Sequence, residues 1–73
     1  MKATYDKEAD AMNIRVKNGK VYKTLEISDS ILVDVDKKGR ALGIEILFLS
    51  SRMPRKDIPK TIRTANPVSA VTV

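Results

Sequence analysis

The run Ile31–Leu49, ILVDVDKKGRALGIEILFL, constrains the fold more than any other part of the chain. Two stretches dense in β-branched and aliphatic residues flank a polar segment that contains Gly39. In the first, Ile31, Val33 and Val35 alternate with Leu32, Asp34 and Asp36. In the second, Leu42, Ile44, Ile46 and Phe48 alternate with Ala41, Gly43, Glu45, Leu47 and Leu49. A period of two places each set on one face of a strand, so the pattern predicts a β-hairpin. Its register must bring the two apolar sets to one side, because a one-residue slip would move one of them into water. A four-residue loop, Asp36 to Gly39, does this by setting Val33 opposite Leu42 and Ile31 opposite Ile44. Gly39 then occupies the loop position that asks for a left-handed backbone. A three-residue loop is the alternative, and it leaves Val33 facing Gly43 unless the strand bulges there.

The segments before the hairpin read as further short strands. Lys2–Tyr5 is extended and ends in the polar turn Asp6 to Asp10. Ala11–Val16 alternates, with Met12, Ile14 and Val16 inward and Asn13 and Arg15 outward. Asn18-Gly19 has the composition of a type I′ turn. Val21–Ile27 is a third extended segment, with Val21, Leu25 and Ile27 as core residues, and Ser28-Asp29-Ser30 turns into the hairpin. The expectation is α+β: an antiparallel meander of four to five strands over residues 1–51, followed by one short helix.

The pattern changes after Leu49. Ser50 to Pro54 is a breaker cluster in which Ser51 can cap a helical turn. Ile58 and Ile62 then lie four apart on one helical face, with Met53 the other apolar position. Pro59 fits only in a first turn, so the helix is read as capped by Asp57 and ending before Asn66-Pro67. Val68–Val73 reads either as a last edge strand, able to extend another chain's sheet, or as a disordered tail. Residues 52–73 are treated as part of the same single domain, since 73 residues sit near the size at which one core just suffices.

Charge and composition narrow the chemistry. Of the net +5, residues 1–51 contribute +1, whereas Arg52, Arg55, Lys56, Lys60 and Arg63 face Asp57 alone in the C-terminal segment. These five cations are the candidate contacts to a protein partner or to nucleic acid phosphates. With one Phe and two Tyr, stacking on single-stranded bases is poorly provided. The chain has neither His nor Cys, which removes Ser-His-Asp and Cys-His nucleophiles, disulfides and zinc sites of the usual type. Asp6-x-Glu8-x-Asp10 lacks the Gly and the later carboxylate of a calcium loop, having Ala11 and Lys17 in those places. It reads as a solvated turn. Asp34, Asp36 and Glu45 on the second hairpin face admit a carboxylate-dependent hydrolase as a second alternative. Alternation of acids with aliphatics on a wet sheet face is the simpler account. No stretch approaches the ~20 apolar residues of a membrane span, and no N-terminal segment resembles a signal peptide. The expectations are a cytoplasmic chain, no cofactor and no metal.

Two blocks taken together resemble a known family. They are Tyr5-Asp6-x-Glu8-Ala9-Asp10-Ala11-Met12-x-Ile14-Arg15 and Ile31-x-Val33-Asp34-Val35-Asp36-x-x-Gly39-Arg40-x-x-Gly43-Ile44-Glu45-Ile46-Leu47. The family is a group of small prokaryotic proteins known as domain of unknown function 2283, and the likeness covers about residues 2–50. Lys7 stands where Pro is common and Asn13 where an aromatic or aliphatic residue is usual, and the segment from Arg52 lies outside the likeness. Asp34, Gly43 and Glu45 are family-like positions for which strand patterning gives no full account. The resemblance brings no activity. It implies an antitoxin-like or binding role, because members look like one half of two-gene modules beside compact toxin-like proteins. A basic chain departs from the acidic antitoxins that neutralise basic ribonucleases. The leading expectation is therefore a non-enzymatic interaction protein that binds a small protein partner, or itself, through a sheet edge or face. Nucleic-acid binding by the C-terminal cations is the alternative.

Overall fold

A computed structural model of the chain describes residues 1–65. Five strands, β1 (Lys2–Asp6), β2 (Ala11–Arg15), β3 (Lys23–Ser28), β4 (Ile31–Val35) and β5 (Ala41–Ile46), form one antiparallel sheet. Two 3₁₀ turns, Leu49–Ser51 and Arg55–Asp57, lead into helix α1 (Ile58–Ala65). The α+β class and the short C-terminal helix are as expected, with Pro59 in the first turn of α1. The expectation for Val68–Val73 lies outside the described residues.

The strand order differs from a sequential meander. It is β1-β2-β5-β4-β3, so β5 inserts between β2 and β4. Strands β3, β4 and β5 are joined by tight turns, and the long connection from β2 to β3 crosses to the far edge, a Greek-key path. Asn18-Gly19 therefore lies within a crossover and not in a hairpin turn, and neither residue has positive φ. The crossover is anchored on β5: the amides of Val16 and Lys17 both donate to the Leu42 carbonyl, at 2.8 and 3.3 Å. Gly19 sits so close above the Leu42 side chain that a Cβ there would stand 2.8 Å from Cδ2.

The β4–β5 hairpin forms with a different register from the one expected. Val33 pairs with Ile44 and Ile31 with Ile46, two residues from the four-residue-loop alignment. The slip of two keeps every side chain on its face, which is why the apolar pattern alone does not separate the two registers. The turn is the three-residue alternative. Asp36 N–H donates to the Arg40 carbonyl at 3.0 Å, enclosing Lys37, Lys38 and Gly39, and Gly39 has φ +79°. The register then shifts between Asp34↔Gly43 and Val35↔Ala41, leaving Leu42 as the extra residue of a bulge, buried beside the crossover.

The core lies under α1, at the β1–β2 end of the sheet. Met12, Leu49 and Ile58 are buried against each other, with Tyr5, Ile14, Ile46, Met53 and Ile62 packed around them. Fully burying a side chain of this size contributes roughly 1.5–3 kcal/mol, which holds a helix too short to persist alone. Alternation continued past Ile46 places Phe48 inward and Leu49 outward; the structure reverses them. Phe48 takes a left-handed conformation, φ +54°, and is 57% exposed, while Leu49 turns in and is 2% exposed. Val16, Val21, Leu25 and Ile27, expected in the core, are exposed. The physical reason is position: Val16 and Val21 lie in the crossover from β2 to β3, β3 is an edge strand whose whole length is exposed, and α1 covers the opposite end.

Candidate functional site

The sheet face away from α1 is polar, and strand pairing sorts its residues into rows. One row runs Lys2, Arg15, Gly43, Asp34, Thr24 across all five strands. The next runs Thr4, Asn13, Glu45, Leu32, Glu26. The three family-like residues Asp34, Gly43 and Glu45 thus come together in the middle of one face. Gly43 supplies no side chain between Arg15 and Asp34, and the result is an open depression of about 480 Å³. A Cβ at Gly43 would stand 3.4 Å from the Ile14 carbonyl and 3.8 Å from Asp34 Oδ2, ordinary contact distances, so an added methyl would fit and raise the floor. Cations at Lys2 and Arg15 lie to one side, and carboxylates at Asp34 and Glu45 to the other. The Asp34 carboxylate accepts the Thr24 hydroxyl at 2.5 Å. This is a surface of fixed donors and acceptors, suited to holding polar groups. Among the described residues no group of three His, Cys, Asp or Glu side chains is placed to hold a metal ion.

Asp36 is a turn residue. Its Oδ1 accepts the amides of Lys38 and Arg40, each at 2.9 Å, and Oδ2 pairs with Arg40 Nε at 2.8 Å. The Arg40 amide, then the Arg40 side chain and the Lys38 amide, hold its carboxyl below the usual aspartate range.

The C-terminal cations are spread along the chain that leaves β5. Arg52 donates to the Ser30 hydroxyl in the β3–β4 turn. Arg55 lies where its charge is felt by Tyr5 and Asp10. Lys56 is exposed in the second 3₁₀ turn, and Lys60 and Arg63 project three apart from α1.

Asp10 has a role that local patterning does not disclose. Asp6 behaves as a turn residue, accepting the amides of Glu8 and Ala9. Asp10 instead adopts φ +53° and reaches across the fold. Its carboxylate accepts the Tyr5 hydroxyl, the Ser50 amide and the Ser50 hydroxyl, and its carbonyl accepts the Leu49 amide. The Tyr5 hydrogen bond, followed by that of Ser50, lowers the Asp10 carboxyl below its ordinary range, and the same bond raises the Tyr5 phenol. The outward signal in the sequence is only that Asp10 closes an acidic turn.

Among the described residues no helix is long and apolar enough to cross a membrane. No curated protein and no solved structure matches the chain. The family described as "Protein of unknown function (DUF2283)" matches residues 2–50, a span that contains every strand of the sheet and the Asp34–Gly43–Glu45 cluster, and the chain belongs to that family.

Proposed function

We propose that the protein is a non-enzymatic interaction module, antitoxin-like in use, that binds an extended segment of an acidic protein partner along β3. The observation that carries this reading is the exposed outer edge of β3. Its only strand neighbour among the described residues is β4. Leu25 and Ile27 are 37% and 62% exposed, and Tyr22 just before the strand is 59% exposed. An edge strand presents unpaired backbone donors and acceptors to an incoming strand, and side chains that alternate beside it supply selectivity. The net charge of +5, with Lys20 and Lys23 flanking the apolar positions, favours an acidic partner segment.

The test is co-purification from the native source, followed by Leu25→Lys with Ile27→Lys. Ile27 is largely exposed and Leu25 partly so, and a dispersed amide spectrum of the variant reports that the fold is kept. A stoichiometric small protein that is retained by the wild type and lost by the variant is the expected result. A partnerless monomer, or a partner held equally by the variant, overturns it.

A second reading is nucleic-acid binding by the C-terminal cations, favoured by the exposure of Lys56, Lys60 and Arg63. It expects duplex DNA or RNA affinity that falls with salt and weakens in Arg55→Ala with Lys60→Ala. Unchanged binding in that variant removes it.

A further inference from the structure

At the end of the sheet opposite α1, the crossover and the β4–β5 turn enclose an open cleft of about 460 Å³. Lys17 and Lys20 come from the crossover, and Lys37, Lys38 and Arg40 from the turn. Counted along the chain these charges vanish into the near-neutral balance of residues 1–51; folded, they gather at one place. The acid in the lining is Asp36, and its carboxylate is already engaged by the turn amides and by Arg40. The four lysines have no salt-bridge partner among the described residues. The exposed ring of Tyr22 forms part of the same wall.

The walls are held from beneath. Val16 and Lys17 are bonded to Leu42, Gly19 is seated against its side chain, and the Tyr22 amide donates to the Val35 carbonyl at 2.8 Å. Between these anchors, the amides of Asn18, Gly19, Lys20 and Val21 make no hydrogen bond among the described residues. They remain available as donors beside the lysines. Ammonium groups and backbone amides are the groups that recognise phosphate oxygens, and an accessible aromatic face is what a base stacks on. The volume falls in the range of small-ligand sites.

We propose that this cleft binds a nucleotide, its phosphate on the Lys17, Lys20, Lys37, Lys38 and Arg40 cluster and its base on Tyr22. The nucleotide is either free or one residue of a single strand. This site shares Lys20 and Tyr22 with the approach to the β3 edge and is separate from the C-terminal cations.

The test is a titration of the ¹⁵N-labelled full chain, followed by amide shifts, with inorganic phosphate, with AMP and UMP, and with a short oligothymidylate. Shifts centred on residues 17–22 and 37–40 are expected with each. Mononucleotides bind roughly tenfold tighter than inorganic phosphate through stacking, a gain that Tyr22→Ala removes while phosphate binding stays. Lys20→Glu with Lys38→Glu weakens all of them on the order of tenfold or more, and its dispersed spectrum reports that the fold is kept. Tighter binding of the oligonucleotide, with a steeper salt dependence, identifies a strand as the source, and equal binding identifies a free nucleotide. An absence of shifts, shifts centred on residues 52–63, or undiminished affinity in the double lysine variant overturns the proposal.

Discussion

Asp10 and Ser50, forty residues apart, are tied by both the backbone and the side chain of the serine: the Ser50 amide donates to Asp10 Oδ1 at 3.0 Å and its hydroxyl to Oδ2 at 2.7 Å. With the Leu49 amide on the Asp10 carbonyl, this joins the β1–β2 turn to the segment that carries Leu49 into the core. The left-handed backbone of Asp10 aims the carboxylate, and Asp tolerates that conformation better than most residues.

Removing the tie should loosen everything beyond β5. Asp10→Ala is expected to lower the melting temperature more than Ser50→Ala, since it strands the Tyr5 hydroxyl as well as the Ser50 donors. Amide exchange over residues 49–65 should rise more than over β4 and β5. Circular dichroism melts and hydrogen exchange read both effects; equal exchange in the two regions would count against the clamp.

The pH dependence has a defined sign. Asp10 and Asp36 have carboxyls lowered from an ordinary 3.8, so the unfolded state binds protons first and stability falls as pH drops through their folded values. Tyr5 is raised from 10.0, so its contribution is complete below that pH and is lost as pH rises through the folded value. Melting temperature against pH should therefore show an acid limb below about pH 4 and an alkaline limb above about pH 10. Tyr5→Phe should remove most of Tyr5's alkaline contribution and lessen the acid limb without abolishing it, because Asp36 and Ser50 still act.

Leu49 and Phe48 make a contrasting pair. Leu49→Ala should cost about 2–5 kcal/mol, a fall in melting temperature of roughly 4–8 °C for each kcal/mol in a domain of this size. Phe48→Gly relieves a left-handed aromatic residue by roughly 1–2 kcal/mol and returns much of that to unfolded-chain entropy. Its net effect should stay within about 1 kcal/mol in denaturant titration.

Gly19 and Leu42 should couple. Gly19→Ala drives a methyl into Leu42 and should cost about 1–3 kcal/mol. Leu42→Val shortens the side chain at the contact, so the double variant should be less destabilised than the sum of the singles. Strict additivity in a double-mutant cycle would show that the crossover is not seated on Leu42.

The sequence by itself determined the strand segments, the left-handed glycine at the β4–β5 turn, and the Ile58 and Ile62 face of α1. Each is local: alternation assigns a face, Gly39 permits a positive φ, and Pro59 restricts where a helix begins. The likeness of residues 2–50 also pointed to Asp34, Gly43 and Glu45, without saying why they belong together. Only the tertiary structure decided that β5 lies between β2 and β4, which sets Arg15 and Asp34 on either side of Gly43. It also decided the two-residue register shift, the exchange of Phe48 for Leu49, the exposure of Leu25 and Ile27, and the reach of Asp10 to Ser50. A period of two names a side of the sheet but not a neighbour in it, nor whether a strand is central or at an edge. Charge follows the same rule. Lysines diluted among acids along residues 1–51 become a basic cleft only when the crossover and the β4–β5 turn meet at one end of the sheet.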